Sequence, residues 1–332
     1  MAASSKVSSA MNTLQDINQK ASDLKDKKDS AMGAIKKAHD LTGTVLDMQE
    51  ELEGQEEHTE RLEQHIEGAK DFGKKALHEL VQEQMRETKE EQREIKTSKQ
   101  ALDLIGKALE AIQSEEQELY SEEQETEQVI QALNQKVDQL YQQGATTELI
   151  QEIVKIAEIG AEELQEELQE IEMIAEQLAD VEQVEGEQAQ AIQHEEGEEN
   201  EAEEIVEEGG KIANATRNKR MKNAEDQMAD QHRQEREEIE SEVEEEEHEL
   251  QQTGNEFENL LQEIQVIEQE AEELERAISR ANKKSKQAYS RDVQKQINKT
   301  ENIIQDVYNE AERVRKKVQK KAGNLENIDS ML

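Results

Sequence analysis

The chain has 332 residues, 37% of them charged, a formal net charge of −42, and no Pro, Cys or Trp. Without cysteine there can be no disulfide, thiolate metal site or thiol-linked lipid. With aromatics at 2%, little of the bulky material that fills a globular core of this length is present. What apolar content remains is mostly Leu, Ile, Val, Ala and Met, which suits narrow seams between helices. The expected fold class is therefore all-α: long coiled-coil helices folded back into antiparallel hairpins or a helical bundle. Disorder competes for so charged a sequence, and the apolar periodicity decides against it.

In chain order, residues 1–142 read as a long N-terminal coiled-coil region. Leu14, Ile17, Ala21 and Leu24 open a seam with alternating steps of three and four, and Leu102, Ile105, Leu109, Ile112, Leu119, Ile130, Leu133, Val137 and Leu140 continue it. The register breaks at 143–147, where Gly144 suits the left-handed residue after a helix and Thr146 or Thr147 suits the cap of the next. A second helix over 147–185 follows, with Ile150, Val154, Ala157, Ala161, Leu164, Leu168, Ile171, Ala175 and Leu178 on one face. Between 186 and 211 the seam fades into Glu, Gln and Gly and reads as an acidic linker ending near Gly209-Gly210. Residues 212–332 form a C-terminal coiled-coil region with a turn expected at 253–255, where Thr253-Gly254-Asn255 is followed by Glu258 at capping distance.

The acid excess is local. Residues 101–250 carry 46 acidic and 10 basic side chains, while both flanks are near balance. Duplex nucleic acid is accordingly excluded as a partner for the middle of the chain. No apolar run approaches the roughly 20 residues of a membrane span, and no signal-peptide core is present, so a cytoplasmic location is expected, with membrane contact only peripheral and through partners.

Chemistry-bearing motifs are few. There is no phosphate-binding glycine loop. His78-Glu79 begins like a zinc-protease helix, but the second ligand position is Gln82. Di-iron bundles need two Glu-x-x-His pairs, and only Glu245-x-x-His248 is found. The seven histidines read as solvated helix residues. The basic cluster Arg217, Lys219, Arg220 and Lys222, and the lysines 316, 317, 320 and 321, read as ion-pairing and dipole-complementing groups. No catalytic residue, cofactor site or metal site is expected, and the protein reads as non-enzymatic.

One seam is more specific. Over 31–84, Leu41, Val45, Met48 and Leu52 lead to a central Gln55, and Thr59, Leu62, Ile66 and Ala69 follow. The wording Leu52-x-x-Gln55-x-x-x-Thr59-x-x-Leu62-x-x-x-Ile66 resembles the centre of a glutamine-type SNARE motif, most closely the first motif of the soluble two-motif proteins related to the synaptosome-associated SNAREs. The resemblance implies that Gln55 belongs to a polar layer in a parallel four-helix bundle that draws membranes together, with its neighbours as packing layers. Two expectations stand together: a scaffold, tether or filament component assembling with other coiled-coil helices, of its own kind or another, and a SNARE-like fusion or tethering factor.

Overall fold

The computed structural model describes residues 27–49, 52, 54, 55, 58, 59, 61, 62, 74–144, 146–216, 219–285, 291–323, 325 and 328. Helix α1 covers 27–49, and the described positions from there to 62 are also helical. It is followed by α2 (Lys74–Gln143), α3 (Thr147–Thr216), α4 (Lys219–Ser285) and α5 (Arg291–Ala322). Among the described residues there is no strand. Helices of 70, 70 and 67 residues are possible because no proline interrupts them and Glu, Gln, Lys, Leu and Ala dominate. Propensity alone does not hold such helices, however; burial of a seam against neighbours does.

The turn between α2 and α3 is built as its residues suggest. Gly144 has φ +94°, a conformation that costs glycine nothing, and its N–H donates to the Leu140 carbonyl at 3.2 Å. Thr146 Oγ1 caps α3 by accepting from the Leu149 N–H at 3.2 Å.

The helices contribute to two units. The first comprises Met1–Ala31, Leu109–Ala179 and Thr253–Asn324. Within it α2 and α3 run antiparallel, joined by Lys136–Glu152 at 2.7 Å and Thr126–Glu167 at 2.5 Å. In the same way, Asn282–Glu301 and Arg315–Glu268 pair α4 with α5. Parallel neighbours keep one register: Gln113–Glu256 and Arg280–Asp138 join α2 to α4, and Lys299–Glu158 and Arg313–Glu172 join α3 to α5. The result is a four-helix bundle lined by the apolar positions seen in the sequence, among them Leu133, Val137, Leu164, Leu168, Ile171, Phe257, Leu260, Ile264, Val307 and Val314. Each fully buried Leu or Ile contributes about 1.5–3 kcal/mol. Gly160 lets α3 come close to its neighbours: a Cβ there would meet Leu274 at 3.3 Å and Val129 at 3.5 Å.

The second unit comprises Met32–Ala108, Asp180–Gln252 and Leu325–Leu332. Here the described helical positions following α1 lie antiparallel to α2 through Gln55–Glu90 and Thr59–Glu87. Helix α1 itself lies parallel to α3 through Thr42–Gln188 at 3.0 Å and Gln49 to the Ala191 carbonyl at 2.9 Å. Ser98–Glu242 at 2.6 Å joins α2 to the parallel α4. Small apolar clusters punctuate this bundle: Ile95 with Ile192 and Ile239, and Ala189 with Leu250 and Ile328.

Two expectations are corrected. The stretch 186–211 is not a linker but the continuation of α3. Its described buried positions include Ala189 and Ala191, and Gln188, Ile192, Glu195, Glu199 and Val206 continue the three–four spacing with polar residues in seam places. The turn at 253–255 is also absent, because α4 runs unbroken from Lys219 to Ser285. Thr253 is fully buried in a ladder with Glu246, Glu249, Glu256 and Leu260; a capping-type sequence in mid-helix is overruled by seam burial.

Candidate functional site

The SNARE-like seam runs along α1 and the described helical positions beyond it to 62, in the second unit. Val45, Leu52 and Thr59 are buried, while Leu41, Met48, Gln55 and Leu62 are half-buried; Ile66 and Ala69 lie outside the described residues. The deepest line on this helix runs Ile35, Ala38, Thr42, Val45, Gln49, Leu52 and Thr59, so Thr42 and Gln49 take core places that the sequence reading assigned to Leu41 and Met48. Gln55 donates its amide to Glu90 on the chain's own α2, and Thr59 donates to Glu87. Burial raises the Glu87 carboxyl above its ordinary value, and the Thr59 hydroxyl bond partly offsets this.

A polar layer that crosses all four helices of this unit was not foreseen. Thr42 Oγ1 on α1 donates to Gln188 Oε1 on α3 at 3.0 Å, and Gln188 Nε2 donates to Ser98 Oγ on α2 at 2.6 Å. Ser98 in turn donates to Glu242 Oε2 on α4 at 2.6 Å. All four residues are buried. Such a chain of matched donors and acceptors fixes helix register, because any axial slip would leave polar groups unpaired away from water. Its residues are individually unremarkable in sequence, and only the shared heptad phase could have marked them.

About one and a half heptads away along α3 and α4, from Gln188 to Glu199 and from Glu242 to His232, the core holds a second polar group. His232 on α4 is 3% exposed, which corrects its reading as a solvated residue. Its Nδ1 faces three carboxylates: Glu235 one turn along α4 at 3.0 Å, Glu199 on α3 at 3.2 Å and Glu91 on α2 at 3.7 Å. Each of these acids is also buried. Burial by itself would lower the imidazole pKa, but the carboxylates of Glu199, Glu235 and Glu91 outweigh it and push it up to about 10. Burial holds the Glu91 carboxyl well above the ordinary range. Glu91, His232 and Glu235 present one metal-compatible atom each, all within 4.8 Å of one another. The signal in the sequence was His232-x-x-Glu235, the reverse of the Glu-x-x-His order that bundle sites usually show.

Carboxylates recur through both cores. In the second unit Glu246 is fully buried with only Glu185, Glu249 and Glu245 acting on its charge, and desolvation raises its pKa strongly. In the first unit desolvation raises Glu163 to about 7 and Glu170 and Glu270 to about 8, and neighbouring glutamates add to each shift. Such acids enter the core as neutral carboxyls at or below neutral pH.

No protein-family model matches the chain, and no curated protein matches it. Among solved structures, it is similar at 11% identity and a TM-score of 0.20 to a chain described as "Computational Design of Self-Assembling Cyclic Protein Homooligomers", over 84% of this chain and 98% of that one. It is similar at 10% identity and a TM-score of 0.16 to a chain of the "DHF58 filament", over 82% and 98%. At these scores neither likeness carries an argument about architecture or assembly. No helix among the described residues is long and apolar enough to cross a membrane.

Proposed function

We propose that the chain is a non-catalytic helical assembly protein, a cytoplasmic scaffold or tether that presents preformed bundles to other proteins. The observation that supports this is the fate of the seams. Positions that call for a partner in sequence, such as Leu133, Leu164, Leu260 and Val314, are buried within one unit of the same chain. Helix pairing is thus completed before a partner arrives, and partners dock on the charged outer faces. These partners are helical proteins or further copies of the chain; a net charge of −42 repels nucleic-acid phosphates. Any membrane contact runs through them. The test is crosslinking mass spectrometry on chain captured from a native extract. A scaffold keeps its intrachain crosslinks within each unit while acquiring links from exposed positions to partners. Loss of the α1–α2 links on partner binding would mean that a helix is donated, and the scaffold reading would fail.

That second outcome would favour the SNARE-like role, which we keep as an alternative proposal because Gln55 lies in the seam with its amide engaged by an acid, Glu90. For α1 to join a parallel bundle it must first leave the antiparallel α2. Replacing Gln55 with Leu tests it: a change in recovered partners supports a polar-layer role, and unchanged partners remove it.

A further inference from the structure

We propose that Glu91, His232 and Glu235, with Glu199 beside them, form a binding site for a divalent transition-metal ion such as Zn2+. Three helices of the second unit converge here, α2, α3 and α4, and each of the four side chains is at least nine-tenths buried, with 8% exposure at most. One imidazole nitrogen with carboxylate oxygens is a donor set suited to Zn2+, Mn2+ or Fe2+, whereas Ca2+ asks for six to eight oxygens.

The spacing supports this assignment. Metal–ligand bonds of about 2.0–2.1 Å in a tetrahedral site place neighbouring ligand atoms about 3.3 Å apart. The three oxygens lie 3.0, 3.2 and 3.7 Å from Nδ1. An imidazolium offers one N–H at Nδ1, which cannot serve three carboxylates. Accordingly Glu91 Oε2 and both oxygens of Glu235 are buried with no hydrogen bond, although Glu91 Oε2 and Glu235 Oε2 face that nitrogen. Unpartnered buried oxygens aimed at one point are what a cation would satisfy, and a doubly charged ion in place of the Nδ1 proton answers them better than the proton does. The positive charges acting on Glu199 are His232 first and Arg236 second, both on α4.

The experiment uses the full chain, stripped with a chelator and held in 0.5 M salt to screen the acidic exterior. Co2+ is titrated and the visible ligand-field absorption followed, with Zn2+ then added as competitor. The expected result is one equivalent of cobalt giving the intense absorption of a four-coordinate site, displaced by Zn2+. His232→Ala should abolish it while remaining helical by circular dichroism, and His248→Ala, at an exposed position, should leave it unchanged. If His232→Ala fails to fold, the near-isosteric Glu91→Gln should still weaken cobalt binding by about 10–100-fold or more. Absence of the absorption in the unaltered chain would overturn the proposal and leave a protonated imidazolium among carboxylates. Its persistence in folded His232→Ala, or undiminished affinity in Glu91→Gln, would overturn it equally. None of these results bears on whether the chain is a scaffold.

Discussion

The two units solve one packing problem with different materials. Among the described residues the first buries 35 apolar and 10 polar side chains, while the second buries 20 and 19. The first is therefore an ordinary hydrophobic bundle with a band of acids around Glu122, Glu163, Glu167 and Glu270. The second is a bundle in which nearly every other core place is polar, and its stability must lean on hydrogen-bond matching and on protonation. Apolar burial tolerates small errors of register, because one methyl contact replaces another. A layer such as Thr42–Gln188–Ser98–Glu242 does not. The second unit thus gives up stability in exchange for a defined helix alignment.

The largest expected effect follows from the buried acids. Folded-state pKa values of about 7 to 8 at Glu163, Glu170, Glu263, Glu270, Glu242 and Glu249 lie above the ordinary carboxylate value. A group whose folded pKa is raised contributes stability that is complete below its unfolded pKa of about 4.5 and is lost as pH rises through the folded value. Melting followed by circular dichroism should therefore give a Tm on the order of 10 °C higher at pH 5 than at pH 9. A chain that melts lower at pH 5 would contradict the protonated core.

Paired substitutions sharpen the contrast between the units. Leu168→Ala, in the apolar core of the first, should destabilise by about 2–5 kcal/mol in urea melts. Glu246→Leu, which removes a buried acid whose charge is opposed by Glu185, Glu249 and Glu245, should instead stabilise at pH 8 by about 1–4 kcal/mol. If Glu246→Leu destabilises there, the acid has a partner that its geometry does not reveal.

A smaller effect is expected at Ser98. Its replacement by Ala removes the acceptor of Gln188 and the donor to Glu242 and should cost about 1–3 kcal/mol. The loss should be greater at pH 8 than at pH 5, where a protonated Glu242 no longer needs that donor for its charge. Equal losses at the two pH values would show that Glu242 does not titrate in this range.

Much of the first unit was legible in the sequence because apolar residues mark its heptads directly: Ile150 to Leu178 and Phe257 to Ala281 are buried as their spacing requires. The turn at Gly144 was legible because one residue type signals one backbone conformation. Legibility failed where polar residues hold seam positions. Glu185, Gln188, Glu195 and Glu199 keep the three–four spacing without hydrophobicity, so the sequence of 186–211 reads as a linker where the chain is helical. His232 was missed for the same reason, since its setting among charged neighbours on α4 looks solvated until α2 and α3 supply Glu91 and Glu199 from far along the chain.

The central claim is that the acidic middle of the chain is packed bundle, with glutamates serving as core residues. Amide hydrogen exchange at pH 6, read by mass spectrometry over 185–199 and 232–249 and compared with 150–178, tests it most directly. Protection in the acidic segments well above unstructured rates, weaker than in the apolar reference and lessened on raising the pH to 9, is the expected result. Exchange of 185–199 at the rate of a free peptide while 150–178 stays protected would contradict the account.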